Sequence, residues 1–164
     1  MARRIGLDSE RLAVLRLGAL LHDVGKLSVP PGVLLKLGPL TELEATQVRR
    51  HPAAGVRMLR ALGVPKEVLP AILHHHERWD GTGYPRGRSG VRIPLEARIL
   101  TIADSFDAMT SLRPYRARWT VADALAELRR CAGTQFDPEL VQAFAEAWGE
   151  GDLDALVWHE AAAS

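Results

Sequence analysis

At 164 residues, 47% hydrophobic and 25% charged, the chain can bury one core and is too apolar to be disordered over most of its length. A net charge of +1 excludes a wholesale nucleic-acid binder, so no DNA partner is expected. No apolar run can span a bilayer, the opening MARRIGLDSE has no signal-peptide core, and the lone Cys131 cannot pair within the chain; no membrane association is expected, and the expected location is cytoplasmic.

Apolar spacing near 3.6 residues dominates and strand-like alternation is scarce, which predicts an all-α fold. The expected layout is one domain over 1–148 with a tail over 149–164. Asp8 or Ser9 caps a first helix that runs through Leu12, Leu15 and Leu20 to about Asp23, where Gly25 stops it. Pro30, Pro31, Gly38 and Pro39 mark an irregular stretch with one turn near 33–36. Thr41 and Glu44 form a capping box that opens a helix through Val48. Pro52 breaks or kinks it near His51, and the pattern resumes to Leu62. Another helix follows Pro65 or Pro70 and reaches His74, His75 and His76. Residues 78–92 read as a long Gly-rich loop, a length often tied to function. Pro94 starts a helix with Leu95, Ile99, Ile102, Phe106 and Met109 on one stripe. Thr120 and Asp123 cap a helix ending at Gly133, and Asp137 with Pro138 starts the last one; Trp158 suggests that the tail docks in part.

Four places concentrate chemistry. His22 and Asp23 end an apolar helix and need partners if buried; alone, the pair reads more simply as a His–Asp hydrogen bond. The run His74–His75–His76 before a glycine loop is hard to explain by packing, and only two of the three can face one cleft. Asp104 lies on a line with Ala97, Thr101, Ala108 and Ser111 that can face a polar cavity, and Asp107, one turn on, either orients a metal-bound histidine or is a plain surface aspartate. His51 sits at the Pro52 break; alone it reads as an ordinary satisfied histidine, and with the other clusters it becomes a candidate ligand. Imidazole and carboxylate without thiolate suit iron, manganese or zinc. Two such ions lower the pKa of a water and clamp a phosphoryl oxygen, and this chemistry needs no protein nucleophile. No Ser–His–Asp signature, Walker-type loop or Rossmann fingerprint is present. The arginines from Arg78 to Arg118 are either solvated or form a positive face for a small anion.

In order, these segments resemble the HD-GYP family of bacterial cyclic di-GMP phosphodiesterases, a branch of the HD-domain phosphohydrolases. The matching stretches are His22–Asp23–Val24–Gly25–Lys26, Arg50–His51–Pro52, the run from His75 through Gly83–Tyr84–Pro85, the run from Ala103 to Ser111, Arg113–Pro114–Tyr115–Arg116, and Gly133 to Pro138. The resemblance implies an HD-domain-like helical bundle holding two or three divalent metal ions, commonly iron or manganese. It implies hydrolysis of cyclic di-GMP to pGpG and onward to GMP in second-messenger signalling. By motif position, His22, Asp23, His51, His75, His76 and Asp104 are the implied metal ligands, with Asp23 bridging. Lys26 supports the phosphate or attacking water, Gly83, Tyr84 and Pro85 form a nucleotide wall, and Arg113 and Arg116 bind phosphate. Tyr84 either stacks on a base or simply packs.

The resemblance also implies an upstream helix bearing a glutamate and a histidine four residues apart. The chain starts at Met1, where that helix should be finishing, so the usual first helix is expected to be missing and one metal site to lack its histidine. A homodimer or an upstream sensory or receiver domain is expected to cover the exposed surface. Leu112 stands where an acidic or polar residue is usual. Two functional expectations follow: a phosphodiesterase of cyclic di-GMP or mixed cyclic GMP–AMP, or a catalytically impaired domain that binds the nucleotide or a diguanylate cyclase.

Overall fold

The structure is a computed structural model that describes residues 5–111 and 119–149. Leu112, Arg113, Arg116 and Trp158, all singled out above, lie outside these residues, as does nearly all of the expected tail. The described residues are helical, with turns and loops between.

The first helix, α1 (Ser9–Leu21), is capped by Asp8, whose carboxylate accepts from the Arg11 amide at 2.8 Å. It ends two residues before the expected Asp23. The chain instead tightens into a 3-10 turn over Val24–Ser28 that presses against the start of α4 (His51–Ala61). Gly25 makes the approach possible: a Cβ there would lie 1.9 Å from the His51 carbonyl oxygen and 2.5 Å from the Gly55 nitrogen. Between them lie a short α2 (Pro31–Leu34) and α3 (Glu42–Arg49), which carries the expected capping box at Thr41 and Glu44. The expected break near His51 is present: α3 ends at Arg49, and Pro52 falls in the first turn of α4, where its missing N–H costs nothing, so it begins a new helix rather than kinking one.

Of the two expected starts, Pro70 is the one used: helix α5 (Leu69–His74) carries it in its first turn, and residues 65–68 form only a preceding turn. After the long loop comes α6 (Leu95–Thr110), then α7 (Val121–Arg130) and α8 (Pro138–Gly149). Helix α7 stops before Gly133, which takes a left-handed φ of 78° in the turn leading to α8.

Two apolar clusters hold these elements. One joins Leu15 of α1 to Ile102 and Phe106 of α6, Leu128 of α7 and Phe144 of α8, with the Phe106 and Phe144 rings 5.1 Å apart. The other packs Val56, Leu59, Leu69 and Ile72 against Val14 and Leu17. Helix α1 contributes to both. A buried pair, Arg98 to Asp137, ties α6 to the start of α8, where Asp137 also caps by accepting from the Glu139 amide. This frame brings the C-terminal ends of α1 and α5, the N-terminal end of α4 and the middle of α6 to one place.

Candidate metal centre

His22 follows the last turn of α1, His51 opens α4, His75 caps α5, and each ring meets the carbonyl three residues before it. Nδ1 of His22 lies 2.7 Å from the Ala19 oxygen, that of His51 2.8 Å from Val48, and that of His75 2.7 Å from Ile72. A carbonyl only accepts, so in each neutral ring Nδ1 carries the proton and Nε2 keeps its lone pair. Backbone geometry alone thus fixes the tautomer and aim of three imidazoles. Thr101 of α6 supports the last of these by donating its hydroxyl to the His75 carbonyl at 2.7 Å.

The freed nitrogens point inward. Donor atoms of Asp23, His51, His75 and His76 all lie within 4.8 Å of one another. His51 Nε2 faces His75 Nε2 at 3.3 Å and Asp23 Oδ1 at 3.3 Å. His22 Nε2 stands 3.5 Å from Asp23 and 3.6 Å from Asp104. Among the described residues, His22 Nε2 and Asp23 Oδ1 are the buried side-chain atoms without a hydrogen-bond partner. Facing lone pairs and orphaned acceptors are unfavourable unless a cation lies among them. The donor set fits divalent ions of the iron, manganese or zinc type.

Burial keeps the inner rings neutral, with His76 held down at about 4 and His75 at about 3. It lowers His51 as well. His22 goes the other way, raised by the adjacent Asp104 carboxylate against the effect of burial. Burial pushes the Asp23 carboxyl up, but Lys26, His22 and His51 together bring it below its ordinary value. Lys26 reaches Asp23 directly as an ion pair.

The histidine run divides as its geometry demands: His75 and His76 face the cluster and His74 turns away. His74 meets Glu77, which is 2% exposed and accepts from the Arg86 and Arg88 amides at 2.8 and 3.0 Å. Sequence reasoning passed over Glu77, whose only signal is an acid next to a histidine run and a glycine loop. It is the peg on which residues 78–92 hang. Asp80 turns the loop by accepting from the Thr82 amide and hydroxyl, and Arg78 braces it across to Gln135. Gly83 is required there, since a Cβ would lie 2.4 Å from the Arg78 nitrogen and 2.5 Å from the His76 oxygen. Tyr84 then stacks on His76, with centroids 4.8 Å apart and planes at 25°. One face of its ring is therefore already covered. Asp107 does not orient a histidine: it is exposed and accepts from the Ser111 hydroxyl at the end of α6. Backbone carbonyls do that work instead.

Beside the cluster opens a cavity of about 530 Å³, walled by His76, Tyr84, Asp104, Arg49, Arg78 and Gln135. Gly83, Thr101, Ser105 and Ala108 line it too, whereas Pro85 does not. Ala97, expected on the same line, is fully buried in the core. Arg49 and Gln135 were not anticipated as wall residues.

The model of the HD domain family matches residues 1–140. The chain is similar to the cyclic di-GMP phosphodiesterase response regulator RpfG of Xanthomonas campestris, with 46% identity over 87% of this chain and 38% of that one. It is 42% identical to the 3′3′-cGAMP-specific phosphodiesterase 3 of Vibrio cholerae over 90% of this chain and 32% of that one. The crystal structure of a cyclic GMP-AMP specific phosphodiesterase of V. cholerae superimposes with a TM-score of 0.73 at 21% identity, covering 94% of this chain and 42% of that one. The chain thus spans 38% and 32% of the length of these two curated relatives.

Proposed function

The chain belongs to the HD-domain family, in its HD-GYP branch, and from that premise we propose that it hydrolyses the 3′–5′ phosphodiester bonds of cyclic di-GMP. The proposed product is linear pGpG, with onward cleavage to GMP. His22, Asp23, His51, His75, His76 and Asp104 would hold two divalent ions, with iron or manganese favoured and Asp23 shared between them. Bound there, such ions polarise a phosphoryl oxygen and acidify a water, which is the chemistry a phosphodiester requires.

The chain's own groups supply the rest. Fixed tautomers leave three Nε2 lone pairs in place without reorganisation. Burial of His51 and His75, each 1% exposed, limits water to the cavity side. Lys26 steadies the Asp23 carboxylate and is placed to meet a developing negative charge. Gly83 and Tyr84 shape the wall on which the nucleotide would lie, and the family pattern assigns Arg113 and Arg116 to its phosphates.

The carrying observation is that Asp23, His51, His75 and His76 converge, with His22 bridging to Asp23 and Asp104, and that two of these side chains hold acceptors without a hydrogen-bond partner. The test is to load the purified chain with iron or manganese, count metal per protomer and follow cyclic di-GMP by chromatography. Two metals with pGpG formation support the reading. Nucleotide bound but not cleaved points to a binding module, and preferential cleavage of mixed cyclic GMP–AMP moves the substrate to that of the V. cholerae relative.

A further inference from the structure

The cavity wall carries a charge that the chemistry above does not use. Arg78 is already paired, donating to Asp80 at 3.0 Å, Thr82 at 2.9 Å and Gln135 at 3.0 Å. Lys26 is paired with Asp23. Arg49, the last residue of α3, is exposed and lines the cavity with His76, Tyr84 and Asp104. It makes no hydrogen bond or ion pair among the described residues. Its charge nonetheless reaches the Tyr84 hydroxyl, where it offsets part of the rise that burial causes.

A cyclic dinucleotide is a dianion whose two phosphates lie on opposite sides of one ring. When the first sits at the Asp23–His51–His75–His76 cluster, the adjoining cavity is the space open to the second, and Asp104 and Glu77, both acidic, line it too. A phosphate there needs a guanidinium that is not already occupied. Among the described residues of the cavity wall Arg49 is the uncommitted guanidinium, and we propose that, alongside the Arg113 and Arg116 assigned to phosphate above, it binds the phosphate that is not being cleaved and so selects two-phosphate rings over simple diesters. This inference rests on the cyclic-dinucleotide reading above.

The test compares wild type, Arg49→Ala and Arg49→Lys on cyclic di-GMP and on bis(p-nitrophenyl) phosphate, which has a single phosphate. Arg49→Ala should raise KM for cyclic di-GMP roughly ten- to a hundredfold, the size of a lost charge-assisted hydrogen bond. Its kcat should stay within about threefold, and its kinetics on the aryl diester should not move. Arg49→Lys should recover part of the loss, because charge is kept while the planar fork is not. Calorimetry with a non-hydrolysable phosphorothioate analogue should show the same loss in Kd. If wild type cleaves cyclic di-GMP and Arg49→Ala is indistinguishable from it, or both substrates suffer equally, the assignment to Arg49 fails alone. If wild type neither binds nor cleaves cyclic di-GMP, it fails together with the reading it rests on.

Discussion

The ligand cluster and the loop that leads away from its His75 and His76 meet within one stretch of chain, from His74 to Arg92, and they treat their polar atoms in opposite ways. In the loop every charged group named has its partner inside the protein: Glu77 holds two amides and His74, Asp80 holds Thr82, and Arg78 reaches Gln135. In the cluster, imidazole lone pairs face one another and two acceptors go without hydrogen bonds. Satisfied polar groups fix shape, while unsatisfied ones arranged around a common point describe something that is to be bound. The comparison predicts that substitutions on the two sides will separate function from stability.

The sharpest break should come at Asp23. Asp23→Ala should lower turnover by more than about a hundredfold, since even indirect disturbance of metal ligands costs about 10- to 100-fold. Metal content should fall with it, yet the melting temperature of the chelated protein should fall only slightly, because the partly exposed Asp23–Lys26 ion pair that is lost contributes little. Gly25→Ala should act first on stability. Its new methyl would overlap the His51 carbonyl, so stability should drop by about 3 kcal/mol in chemical denaturation. Glu77→Ala strands the Arg86 and Arg88 amides, and should cost about 2 kcal/mol in the same measurement. Its metal content should change less than its stability, because the hydrogen bonds of the Glu77 side chain go to His74 and to the Arg86 and Arg88 amides rather than to the cluster.

A further effect concerns pH. In the unfolded chain His75 and His76 titrate near pH ~6.5, while in the fold burial holds them at about 3 and about 4. Below pH ~6.5 the unfolded chain takes up protons that these folded rings refuse. Their contribution to stability is therefore complete above that pH and is lost as pH falls toward 4 and then 3. His22, raised by Asp104, opposes this in part. The melting temperature of chelated protein should decline from pH 7 to pH 4.5, and His75→Asn should flatten the slope.

Much of this was legible in the sequence, for reasons that differ by residue. The capping box at Thr41 and the cap at Thr120 are local chemistry, readable within a few residues. That only two of three adjacent histidines can share a cleft follows from helix geometry. The early end of α1 was not readable, because it depends on Gly25 meeting the His51 carbonyl across more than twenty residues of chain. For the same reason the sequence left both readings of Asp107 open: the partners of the histidines are carbonyls, which every residue carries and no sequence pattern marks. Arg49 and Gln135 were invisible because only the folded cavity shows that they share a wall.

The most direct measurement is anomalous diffraction from crystals grown with manganese or iron. The proposal predicts two peaks flanking Asp23, within bonding distance of the imidazoles of His51, His75 and His76 on one side and of His22 and Asp104 on the other. Peaks elsewhere on the molecule, or none in crystals whose protein cleaves cyclic di-GMP, would contradict it.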